Sequence, residues 1–337
     1  MTSGCTMSSG QFDCIVIGSG PSGTACAAAL LENERSVLML DAGLTIEPER
    51  MEAVRKARIC ADFLSPSTAP WLSERPPDAN GEIPRKLMFG SDFPFRAASE
   101  HLRLTSKGVG LEPSFAFGGF SNIWGAAVMP YVARDIASWP IGVHDLAPHY
   151  AACEKLLGLS ADHDDLAADY PLYATPSGQV AASAQASALL QAMCQNRSRL
   201  AAAGICFGRA RLAIRPPQVG AGCIYCGLCL HGCPDDLIFR TPALIQAFER
   251  KGRLVYRPGV VVESVYETQN SSVVQCYDLE TRARLSFEAR RAFIAGGPIS
   301  TTSILMRSGG LFNTPIHLKD SQYFLLPLLT AKGIPRV

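Results

Sequence analysis

The sequence predicts an α/β fold built around a parallel sheet. Three observations predict it: a short apolar run is followed at once by a glycine-rich turn, the turn opens a small-residue helix, and a second apolar strand ends in an acid. The first run, Phe12 to Ile17, is FDCIVI, rich in β-branched residues and short enough for a strand buried on both faces. Gly18-Ser19-Gly20-Pro21-Ser22-Gly23 then supplies GxGxxG spacing, and TACAAALLENE continues as the helix. The first glycine permits the tight turn, the second lets backbone approach a pyrophosphate, and the third lets helix and strand pack closely. Ser36 to Leu40 forms the next strand, and Asp41 follows it, 23 residues after Gly18, near the distance expected of an acid that accepts a ribose hydroxyl. An acid there argues against a 2′-phosphate and hence against NADP. FAD and NAD both satisfy the pattern.

At 337 residues, with 47% hydrophobic and 18% charged, the chain is long enough for a large core and far from the composition of disorder. Lys and Arg number 31 against 30 Asp and Glu, a net charge of +1, so no overall field gathers nucleic acid or anionic lipid. No apolar run approaches the roughly 20 residues of a membrane helix. Met1 to Gln11 lacks the charged and apolar regions of a secretory signal, so the expected location is cytoplasmic.

Further along, Phe117-Gly118-Gly119-Phe120-Ser121-Asn122-Ile123-Trp124-Gly125 combines adjacent glycines with an Asn-x-x-Gly. Such a segment either brings backbone close to a flat, bulky ligand or makes a turn cluster beneath the core. Ser65 to Pro84 and Pro216 to Gly222 read as loops, the first long enough for a lid. Ala182 to Ala203 reads as one amphipathic helix, Phe207 to Ile214 as a strand, and Val255 to Val265 as β-structure set off by Pro258-Gly259.

The order of these segments resembles the glucose-methanol-choline (GMC) family of FAD-dependent oxidoreductases. The resemblance rests on GSGPSG with LMLDAG, on GGFSNIWG, on SWPIGVHDLAPHYAACEKLLGL, and on FIAGGPISTTSILMRSGG from Phe293 to Gly310. It implies a Rossmann-like FAD-binding domain with an inserted α+β substrate domain. The FAD-binding part would span 1–135 and 245–310, the substrate part 136–244 and 311–337. The implied FAD contacts are Gly18, Gly20, Pro21, Ser22, Gly23, Asp41 and Ala42 at the first turn and strand. Gly118, Gly119, Ser121, Asn122, Trp124 and Gly125 would lie beside the flavin ring, Val261 near the adenine, and Ala295 and Gly296 after a strand returning beside the first. No His stands in the loop around Asn122 to Gly125, so FAD would be held noncovalently.

Twelve cysteines occur, four of them as Cys223-x-x-Cys226-x-x-Cys229-x-x-x-Cys233-Pro, the spacing of a bacterial ferredoxin loop. An iron-sulfur cluster is one reading. Zinc is another, and thiols packed without metal a third. A cluster would let electrons leave the flavin singly toward an acceptor protein, making the enzyme a dehydrogenase.

The resemblance implies oxidation of a CH–OH group of an alcohol, polyol or sugar by hydride transfer to flavin N5, with a base taking the hydroxyl proton. That family draws its base, a His, from its C-terminal portion, and nothing after Gly310 matches it, so the chain reads as an N-terminal fragment with no base assigned. The apolar ending at Phe324 to Leu329 is read as pairing with something that follows. The competing readings are a flavin or iron-sulfur electron carrier without substrate chemistry, and an inactive nucleotide-binding fragment.

Overall fold

The computed structural model describes residues 12–52, 86–105, 107, 110–229 and 231–318. The expected lid at Ser65 to Pro84, the opening segment Met1 to Gln11 and the apolar ending at Phe324 to Leu329 lie outside them. In chain order the elements begin with β1 (Cys14–Ile17), α1 (Pro21–Glu32), β2 (Val37–Leu40) and α2 (Ala98–Leu102). Next come α3 (Val143–Leu157), α4 (Ala184–Gln195), α5 (Arg197–Ala202) and α6 (Thr241–Arg250). The last are β3 (Leu254–Arg257), β4 (Val260–Glu267), β5 (Ser272–Asp278), β6 (Arg284–Ala289), β7 (Arg291–Ile294) and α7 (Gly297–Ser308).

The chain divides into two compact units, one of Met1–Gly125, Gly227–Asp236 and Arg240–Asn313, the other of Ala126–Cys226, Leu237–Phe239 and Thr314–Val337. The first holds a four-stranded sheet in the order β3-β2-β1-β7, parallel throughout, and a three-stranded antiparallel sheet β4-β5-β6. This is the mixed α/β, Rossmann-like fold. The strand before AGGPIS, β7, pairs directly with β1.

Alternation along β1 explains the layering. Ile15 and Ile17, with Leu38 and Leu40 of β2, pack on Val260, Val262, Val274 and Phe287 of the antiparallel sheet and on Ile304 of α7. The intervening Val16, Val37 and Met39 face the other way, against Ala27 of α1 and Ile245 and Phe248 of α6. Side chains alternate across a strand, so a run apolar at every position is what a sheet covered on both faces requires. Each such buried aliphatic contributes about 1.5–3 kcal/mol. Register is set at the strand starts, where Asp13 accepts from Ser36 N at 2.9 Å and Asp13 N donates to Ser36 Oγ at 2.8 Å.

In the second unit α3 starts at Gly142, whose N–H donates to Asp145 Oδ2 at 2.8 Å, and stops at Gly158, φ 61°. Buried Glu154 accepts from the amides of Tyr173 and Ala174 at 2.9 and 2.7 Å. Two expectations are corrected here. The helix expected over Ala182 to Ala203 breaks at Asn196, whose side chain turns back to donate to Ala192 O at 2.9 Å. Phe207 to Ile214 forms single bridges, not a strand: Leu212 meets Ala127 and Ser160 while Ile214 meets Ile238, so no partner stays alongside long enough to extend a ladder.

Gly23 is where α1 packs on the turn before it, and a Cβ there would lie 1.9 Å from Gly18 O. Gly23→Ala is expected to cost about 1–3 kcal/mol of stability by overpacking, read by chemical denaturation. Wild-type stability in that variant would contradict the close contact.

Candidate nucleotide-binding site

The carboxyl ends of β1, β2 and β7 meet at a cleft of about 260 Å³ within the first unit. Its lining includes Gly18, Gly20, Pro21 and Ser22 of the first turn, Asp41 after β2, Gly119 and Phe120 of the second glycine segment, and Ala295 and Gly296 after β7. Glu112 and Ser114 also line it. A smaller space of about 50 Å³ adjoins, bounded by Asp41, Ala42, Phe115, Val261 and Gly296.

Local chemistry explains this convergence. Gly18 takes φ 102° and lies so close to Ala295 that a Cβ would sit 2.6 Å from Ala295 O. Helix α1 begins at Gly20 with Pro21 in its first turn and no side chain capping it, so its leading N–H groups face the cleft without internal partners. A Cβ at Gly20 would meet nothing within 4 Å, so that position opens onto free space.

Ser19, almost fully buried, joins four segments. Its hydroxyl donates to Asp41 Oδ2 and accepts from Gly118 N at 2.8 Å, while its carbonyl accepts from Thr24 Oγ1 at 3.1 Å and Thr241 Oγ1 at 2.8 Å. Gly118 and Gly119 turn with φ 90° and 54°, which brings Gly119 against Gly20.

Several expected contacts lie away from the cleft lining. Gly23 is internal packing. Ser121 Oγ donates to Gly118 O at 2.6 Å, and Asn122 Nδ2 donates to Phe117 O and Gly119 O at 2.9 and 2.7 Å, so both side chains hold their own loop. Trp124 O accepts from Lys86 Nζ at 2.8 Å, and Gly125 faces open space.

Tyr256 of β3 was not foreseen. Its hydroxyl donates to Asp41 Oδ2 at 2.9 Å and its ring stacks on Phe117 at 4.4 Å, tying the acid to the second glycine segment. The β3–β2 pairing brings it there, and an aromatic residue in a short strand was the one available signal. Burial pushes the Asp41 carboxyl up to about 6, even though the Ser19 and Tyr256 hydroxyls favour its ionised form.

The four cysteines of the CxxCxxCxxxCP run divide between the two units. Cys223 and Cys226 belong to the second unit and Cys229 and Cys233 to the first. Among the described residues no group of three or more His, Cys, Asp or Glu could hold a metal ion. Backbone hydrogen bonds anchor this segment, with Cys223 N donating to Arg215 O at 3.1 Å and Phe89 N donating to His231 O at 2.7 Å.

No protein-family model matches the chain, and no curated protein matches it. Among solved structures, the chain is similar to pyridoxine 4-oxidase from Mesorbium loti, with 15% identity and a TM-score of 0.47, over 88% of this chain and 52% of that one. It is similar to a formate oxidase with 14% identity and a TM-score of 0.47, over 92% and 48%. A formate oxidase variant from Aspergillus oryzae RIB40, whose FAD modification was under study, gives 17% and 0.43 over the same shares. The chain spans about half the length of each.

Because native Asp41 keeps its proton to a higher pH than the unfolded chain does, it contributes stability below about 4 that is lost as pH rises through about 6. Asp41→Asn should flatten the fall in Tm across that window. Tyr256→Phe keeps the ring stack, removes one donor and should extend the fall to higher pH. Thermal melts from pH 4 to 7 decide this, and identical slopes in all three proteins would contradict the assignment.

Proposed function

We propose that this chain is the FAD-binding portion of a GMC-type oxidoreductase acting on a CH–OH group of an alcohol, polyol or sugar, as a dehydrogenase. One observation carries the reading: backbone amides and an acid acceptor share one cleft, which the second glycine segment walls on its far side. The leading amides of α1 would hold the pyrophosphate, helped by the positive end of the helix. Gly20 leaves room for it, since no side chain stands there. Asp41, oriented by Ser19 and Tyr256, would accept a ribose hydroxyl. Ala42 and Val261 bound the smaller space suited to a flat base, and Phe120 adds an apolar wall. When bound, FAD would supply the acceptor for the hydride leaving the carbinol carbon.

A CxxCxxCxxxCP cluster stays a reading of spacing alone, and iron and acid-labile sulfide analysis decides it. No helix among the described residues is long and apolar enough to cross a membrane, and a small-molecule substrate with a separate electron-acceptor protein completes the proposal.

Reconstitution with FAD should give a stoichiometric flavin spectrum, and an alcohol or sugar under anaerobic conditions should bleach it. NAD binding without flavin uptake would overturn the cofactor, and a flavin that no CH–OH compound reduces would leave a carrier. Gly20→Ala should fold normally yet weaken FAD binding by about tenfold or more, because its Cβ enters space the phosphates need. Unchanged affinity in a folded Gly20→Ala protein would mean the phosphates lie elsewhere.

A further inference from the structure

A second cleft, of about 950 Å³, opens in the first unit and is lined by residues of α2, the β4-β5-β6 sheet and the end of α7. Four arginines line it, Arg103, Arg282, Arg284 and Arg307, against two carboxylates, Glu100 and Glu263, which leaves two positive charges unmatched. Glu263 is engaged by Arg284. Among the described residues, Arg103, Arg282 and Arg307 form no ion pair.

These three guanidinium groups come from separate segments and line the same cleft as Tyr277, which is 7% exposed. The Tyr277 hydroxyl lies 3.0 Å from His101 Nδ1. Arg282 sits over the Tyr277 ring, 5.1 Å from its centroid, with Nη2 3.4 Å from His101 Nε2, so its fork is held in position. Burial and the neighbouring Arg282 push the His101 pKa down, which favours its neutral form. Arg103 and Arg282 also adopt φ of 54° and 61°, the left-handed region that non-glycine residues enter at a cost. The fold thus gathers three like charges from separate segments, and of the two carboxylates lining the cleft one, Glu263, is already engaged by Arg284, so Glu100 alone of that lining stands against them. Repulsion of that kind is relieved by a bound anion.

We propose that this cleft binds a small phosphate-bearing dianion, gripped by Arg103, Arg282 and Arg307 above the Tyr277 hydroxyl. Guanidinium forks match phosphate oxygens in pairs, and a charge of minus two equals the cleft's unmatched excess. None of these arginines lines either nucleotide space, so the site stands independently of the FAD reading.

The test is titration of the full chain with inorganic phosphate and pyrophosphate, against potassium chloride at matched ionic strength, read as Tm. A saturable rise with phosphate and none with chloride is expected. Arg282→Gln with Arg307→Gln should weaken the apparent affinity by about tenfold or more, the equivalent of one or more lost charged hydrogen bonds, with FAD uptake unchanged. A shift no larger than that of chloride, or undiminished affinity in the double variant, overturns the proposal. Should the double variant fail to fold, Arg282→Lys takes its place: it keeps the charge and loses the fork, so phosphate affinity must still fall, and unchanged affinity is again fatal. Vesicles containing phosphatidylserine should not sediment the protein. Sedimentation without a response to free phosphate would make the cleft a membrane-facing patch instead.

Discussion

The polar knot at Ser19 holds the candidate site together. One hydroxyl and one carbonyl, buried between the first turn and α6, receive or supply hydrogen bonds from Asp41, Gly118, Thr24 and Thr241. Those groups come from β2's end, the second glycine segment, α1 and α6, so satisfying Ser19 fixes four segments at once. A buried polar group left unmet costs more than any one of these bonds contributes, which makes the arrangement close to all-or-none. Tyr256 extends the knot outward, holding Asp41 through its hydroxyl and Phe117 through its ring.

Around that knot the apolar layers act as a mould. The parallel sheet is covered on one face by the antiparallel sheet and α7 and on the other by α1 and α6, so its polar chemistry is concentrated at the strand ends. There, backbone amides and one acid can act together because the glycines keep side chains out of the way. The arginine-lined cleft uses the opposite means, side-chain charge on the outer elements of the same unit. The two proposed anion sites would thus rest on different physics, one on oriented peptide dipoles and one on guanidinium forks.

Individual residues show how far the sequence could be read. Gly18 was legible because a tight strand-to-helix turn demands φ near 102°, a local requirement visible in local spacing. Asn122 was not: its type suits a ligand contact and a loop staple equally, and only its two donated bonds to Phe117 and Gly119 distinguish them. The break at Asn196 shows helical periodicity overridden by a short side chain that bonds its own backbone. For Cys223 to Cys233, spacing limits how close thiols can come but not where each end of the loop is anchored.

By itself the sequence determined the strand-turn-helix opening, the parallel register partners' apolar character, and the position of the acid after the second strand. These are near-neighbour properties, written in periodicity and in glycines whose backbone freedom is used within a few residues. The tertiary structure alone decided that β3 brings Tyr256 to Asp41 and that the antiparallel sheet and α2 assemble an arginine-lined cleft. Each of those depends on contacts between residues far apart in the chain, and such contacts are set by which apolar faces bury one another, information that no single segment carries.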